Sequence, residues 1–176
     1  MKKHIQIAVG LVLLFSAGTL LAQNNNAVKL LAQSLRSYKS VEVSFTYQTS
    51  GESEEPKEGK AYFQDNAYKV VLEDQQTISD GKTQWHYLVE DEEVMVGDAT
   101  DDDSPFKILD NLERDSSGIT PILDSKGNLK SIEIEIEDGV KTTLNILEMK
   151  FDQDYPKDFF TFDAKAHPEV DVIDMR

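Results

Sequence analysis

Segment 129–137 constrains this chain most, because Ile132, Ile134 and Ile136 alternate one for one with Glu133, Glu135 and Glu137. A period of two sets the isoleucines on one face of an extended strand and the carboxylates on the other. An α-helix cannot separate them in this way, so the segment commits to a sheet with one apolar face and one wet face. The same alternation opens the chain's middle, where Val41, Val43, Phe45 and Tyr47 interleave with Glu42, Ser44 and Thr46.

Strands are predicted at 59–63, 68–73, 76–79, 83–89, 93–97 and 140–151. Their connections carry turn chemistry: Gln64-Asp65-Asn66, Glu73-Asp74, Asp80-Gly81, Glu90-Asp91 and Asp138-Gly139. Strands this closely spaced have no room for crossover helices, so the expectation is an antiparallel meander. Two amphipathic helices interrupt it. In 25–38, Val28, Leu31, Leu35 and Tyr38 recur at spacings of three and four. In the second, Ser104 supplies an N-cap and Pro105 the first helical position ahead of Phe106, Ile108, Leu109 and Leu112. The aromatic tail Phe159-Phe160-Thr161-Phe162-Asp163 through Val170-Asp171-Val172-Ile173-Asp174 reads as a packed edge segment.

Residues 1–22 read as a signal peptide: Lys2 and Lys3, an apolar run at 7–15 with Leu20 and Leu21, and Ala22 before the expected cut. Residues 23–176 then form one domain, long enough to bury a core without a disulfide. There is no Cys, hence neither a lipid-modified N-terminal cysteine nor a thiol nucleophile. A short two-lysine leader points to a bacterial periplasm. The formal charge of −15 disfavours nucleic acid and anionic headgroups, which repel a polyanion.

Catalytic patterns are scarce. Beyond the leader the histidines are His86, in mid-strand and opposite in phase to Trp85, and His167 before Pro168; both read as solvated. No paired-histidine metal motif is present, and the run 98–103 lacks the glycine and the glutamate of a calcium loop. Carboxylates are too numerous, at 33, for any pair of them to indicate a hydrolase. The expectation is therefore no enzyme, no cofactor and no metal, with a strongly apolar sheet face left to explain.

The strand 41–47, the run Ser79-Asp80-Gly81-Lys82-Thr83-Gln84-Trp85-His86-Tyr87, the Ser104-Pro105-Phe106 cap and the closing Phe160-Thr161-Phe162 together resemble the periplasmic outer-membrane lipoprotein carrier family, LolA. The ending 170–174 is similar to Bacteroidetes-type members. The resemblance implies an α+β fold, an unclosed antiparallel half-barrel with short helices as a lid over an apolar cavity. It implies that acylated lipoproteins are taken from an inner-membrane ABC-type release complex and handed to an outer-membrane acceptor. Two departures stand out: 63–68 lacks the arginine that fixes the lid in proteobacterial carriers, and 112–129 is shorter by about one hairpin. About nine strands are expected in a shortened member, acting as a monomer.

On this reading Val43, Phe45 and Tyr47 would line the cavity, with Ala61, Phe63, Tyr68, Val70 and Leu72 beside them. Trp85, Tyr87, Val94 and Val96 would continue the same wall, closed by Ile132, Ile134, Ile136, Leu144 and Ile146. The lid would carry Val28, Leu31, Leu35, Phe106, Leu109 and Leu112. Two rivals are a binder or sensor of free lipid on the same fold, and a small carboxylate-dependent hydrolase, which would need two acids inside the cavity.

Overall fold

The alternating segments form strands at the expected places in a computed structural model, described over residues 37–51, 55–100, 118–125, 129–135 and 139–176. In chain order they are β1 (Ser40–Thr49), β2 (Lys57–Gln64), β3 (Ala67–Val71), β4 (Gln75–Ser79), β5 (Thr83–Leu88), β6 (Glu93–Asp98), β7 (Ile119–Leu123), β8 (Leu129–Glu135), β9 (Lys141–Phe151) and β10 (Asp171–Asp174). All belong to one unclosed sheet, ordered β10-β6-β5-β4-β3-β2-β1-β9-β8-β7. β1 is central because β9 folds back onto its free side, antiparallel.

Turn residues set the hairpin registers. Between β4 and β5, Gly81 takes φ +85° and Ser79 pairs with Gln84. The Asp80 carboxylate accepts from the backbone N–H groups of Lys82 and Thr83 at 2.9 and 2.7 Å. Glycine at the first central position is what a tight hairpin of this hand requires.

Two expectations change. Over the described residues the sheet has ten strands, not about nine, and it is mixed, because β10 runs parallel to β6 with Val172 beside Val94. β7 holds Pro121, a residue that argues against a strand, but it lies at the sheet edge, where proline's missing N–H breaks no ladder. β10 is parallel because the chain reaches it by crossing a face of the sheet after β9, not through a hairpin. Both expected helices, with Val28, Leu31, Leu35, Phe106, Leu109 and Leu112, lie outside the described residues except for Ser37 and Tyr38 at the end of the first, which form a turn and bend leading into β1; Ile136 also lies outside them.

The main core lies on one face, called here the first face. Val43, Phe45, Ala61 and Ile132 are there at 0% exposure, joined by Val41, Phe63, Tyr68, Val70, Ile134 and Leu144. A smaller cluster of Tyr87, Val94 and Val170, with Trp85 and Phe162, occupies the second face.

Candidate functional site

Pairing carries each face across the sheet residue by residue. One row of the first face runs Met149, Val43, Ala61, Val70, Thr77, His86, Met95 from β9 to β6. The next runs Phe151, Val41, Phe63, Tyr68, Ser79, Gln84, Gly97. Both rows are apolar as far as β3 and become polar or small beyond it, with Met95 as the exception. The second face does the reverse, running Lys150, Glu42, Tyr62, Lys69, Ile78, Trp85, Val96. Apolar character therefore changes sides between β3 and β4.

This crossover corrects the expected cavity wall. Val43, Phe45, Tyr47, Ala61, Phe63, Tyr68, Val70, Leu72, Ile132, Ile134, Leu144 and Ile146 do share the first face. Trp85, Tyr87, Val94 and Val96 do not; they point to the opposite face. Each two-residue connection reverses the odd-even parity of the inward positions, and β4, with Thr77 and Ser79 inward, contributes one reversal that apolarity alone hides.

His86, expected on the wet face, stands on the first face. Its Nδ1 lies 3.3 Å from the Thr77 hydroxyl. Beside it, Gln84 Nε2 donates to the Tyr68 hydroxyl at 3.0 Å, and Ser79 Oγ accepts from the Gly81 N–H at 3.1 Å. Tyr68, Thr77 and Ser79 are buried, while Gln84 and His86 are half-buried. Sequence reasoning missed this polar group; counting register through β4 from the Asp80-Gly81 turn would have found it.

The apolar half of the second face is closed by residues 152–170, a strap that crosses the sheet from β9 to β10. Its backbone is clasped at Tyr155, whose N–H donates to Gln64 Oε1 at 3.2 Å while its carbonyl accepts from Gln64 Nε2 at 3.3 Å. The Tyr155 hydroxyl donates to Glu42 Oε2 at 2.6 Å, and Lys150 Nζ donates to Glu42 Oε1 at 3.3 Å. Those donors, Tyr155 foremost, hold the Glu42 carboxyl below its ordinary value against the opposing effect of burial. Burial, then the hydrogen bond to the Glu42 carboxylate and its charge, pushes the Tyr155 hydroxyl up.

Further along, Phe159 packs edge-on to Tyr62 at 5.0 Å between centroids, with Lys69 Nζ 5.1 Å from its ring centre. Burial pulls the Lys69 ammonium down. Phe162 packs on Tyr87 at 5.2 Å and stacks on His167, an arrangement that ties His167 into the strap. Tyr87 thus contacts the protein's own tail, and Trp85 packs with the same cluster, not in a chamber shared with Val43 and Phe45.

No family model matches this sequence, and no curated protein matches it either. Among solved structures, an uncharacterized conserved protein from Thermus thermophilus is similar over 86% of this chain and 99% of its own, at 11% identity and a TM-score of 0.53. The LolA superfamily protein NE2245 from Nitrosomonas europaea aligns over 80% of this chain and 99% of its own, at 12% identity and a TM-score of 0.43. The likeness to the Thermus protein is one of fold alone.

Proposed function

We propose that this protein is a periplasmic carrier that holds the acyl chains of lipoproteins against the first face of the sheet and moves them from the inner to the outer membrane. The observation that carries the reading is the continuous apolar surface of an unclosed sheet, from β8 through β9, β1 and β2 to β3. Neighbouring strands lie ~4.8 Å apart, so this surface extends on the order of 20 Å, comparable with an extended palmitoyl chain. Leaving each methylene in water costs about 0.8 kcal/mol, so an acylated protein crossing an aqueous compartment needs such a surface. Contacts of this kind are non-directional, which lets a chain slide in and leave toward a better acceptor. Access lies along the half-buried margin formed by Tyr38, Tyr47, Ile146, Met149 and Phe151, since the centre of the face is already out of water.

The sequence resemblance to lipoprotein carriers supports the same cargo, and with it an inner-membrane release complex as donor and an outer-membrane acceptor. The test uses short-range quenching by brominated palmitate. Trp85, on the far face, should keep its emission, whereas a tryptophan introduced at Ile146 in a Trp85→Phe background should be quenched. Quenching of Trp85 alone would place the cargo on the other face and overturn the reading. Transfer of an acylated protein to outer-membrane vesicles separates a carrier from a binder of free lipid, which would extract lipid and deliver no protein.

A further inference from the structure

β10 ends the sheet with an open edge. The Asp171 and Met175 N–H groups donate to the Glu92 and Val96 carbonyls at 2.8 Å, so alternate residues of this parallel strand are turned to β6. Val172 and Asp174 are turned the other way, and their N–H and C=O groups find no backbone partner among the described residues. All four residues of β10 are exposed. Sheet proteins blunt such edges with proline, lysine or a bulge. At the other edge Pro121 serves β7 in this way, whereas β10 has none of these devices. It is also apolar for a solvent-facing edge: Val172 is 53% exposed, Ile173 43%, and Met175 just beyond it 61%. Val172 ends the second-face row at Val94, and Ile173 ends the first-face row at Met95.

Charge says what this edge takes. Asp171 stands opposite Glu93 in register, a like-charge pair that weakens a sheet, and no cationic side chain pairs with either among the described residues. Asp174 differs, since Arg176 Nη2 lies 2.6 Å from its Oδ2. We propose that β10 takes up an extended segment of another protein as a further strand, with a basic residue beside Asp171 and two apolar residues beside Val172 and Ile173. The main-chain groups of Val172 and Asp174 supply the hydrogen bonds, and the basic side chain offsets the Asp171–Glu93 repulsion. A second copy of this chain is the poorer occupant, because each copy carries a formal charge of −15 and the same acidic edge. The edge lies at the far end of the sheet from β8 and β9, so the acyl surface and the docking strand can each exist without the other.

The experiment titrates the full chain into a short fluorescein-labelled peptide with a lysine-valine-valine-lysine core and reads anisotropy. That core is the same in both directions, so a lysine meets Asp171 whichever way the added strand runs. A peptide with glutamate in place of both lysines should not bind. N-methylation of both valines keeps the charge but blocks strand pairing, since one of two neighbouring amides must face β10, and should also abolish binding. Val172→Pro removes an N–H that faces away from β6 and should weaken binding about tenfold without breaking the ladder. Asp171→Asn should weaken it about two- to fivefold; circular dichroism confirms that both variants are folded. No binding of the lysine peptide overturns the proposal. So does binding that survives N-methylation or Val172→Pro, which would reveal only diffuse attraction to an acidic surface. A dimer of the chain alone in sedimentation equilibrium that Val172→Pro dissociates would give the edge to a second copy and overturn it as well.

Discussion

Residue by residue, the fold depends on a few close approaches. Gly59 pairs with Phe45 across β1 and β2, and a Cβ there would lie 2.6 Å from the Phe45 ring and 3.0 Å from Leu72 Cδ2. Phe45 is fully buried and has nowhere to retreat. Gly59→Ala should therefore destabilise the protein by about 1–3 kcal/mol, measured by urea unfolding. On the opposite face, Glu42 has a side chain only 16% exposed and is held ionised by Tyr155 and Lys150. Since its folded value is lowered from 4.5, its contribution is present above that pH and is lost as pH falls through the lower folded value. Stability should decline on acidification through this range, and Glu42→Gln should flatten that part of the profile in unfolding curves taken between about pH 7 and pH 3. Tyr155→Phe removes the leading donor; a loss of about 1.5–3 kcal/mol at neutral pH is expected, together with a rise of the Glu42 titration midpoint seen by carbon-13 NMR. Neither contact was legible in the sequence, where Glu42 and Tyr155 are 113 positions apart with no pattern linking them.

At the scale of elements, the strands were legible because alternation and turn residues are local signals. β1 and β8 stand where Val41 to Tyr47 and the Ile/Glu repeat put them, β2 and β9 cover the segments 59–63 and 140–151 expected as strands to within one residue at the start of β9, and the Asp80-Gly81 turn forms a hairpin. β7 escaped because Pro121 masks an edge strand, and β10 because its partner β6 lies far back along the chain. The strap is the element that makes β10 possible. Phe160 is its buried anchor at 2% exposure, within the aromatic group of Tyr155 and Phe159. Phe160→Ala should cost about 3–5 kcal/mol, lowering the melting temperature, and should open segment 152–170 to limited proteolysis before the rest of the sheet is cut. Cleavage that begins in β1 or β2 would show instead that the strap and the sheet open as one unit.

For the whole molecule, the exchange of apolar and polar character between faces means that a single sheet serves two cores. The first core, over β1–β3 and β7–β9, offers the surface proposed for cargo; the second, over β4–β6, is occupied by the chain's own strap. Because the sheet does not close, protection should fall toward its margins. Amide exchange at β7 and β10 should run at least about a hundredfold faster than at β1, β2 and β9, read by hydrogen exchange and mass spectrometry. By itself the sequence determined that this chain is an acidic sheet protein with one-sided strands and hairpin turns, because side-chain periodicity and turn chemistry act over a few residues. Which face each strand presents was decided only in the tertiary structure, since parity accumulates through every connection and the polar β4 hides one reversal. The swap of Trp85 with His86 follows from that count, as does the place where the proposed acyl surface ends and the polar rows of β4 and β5 begin.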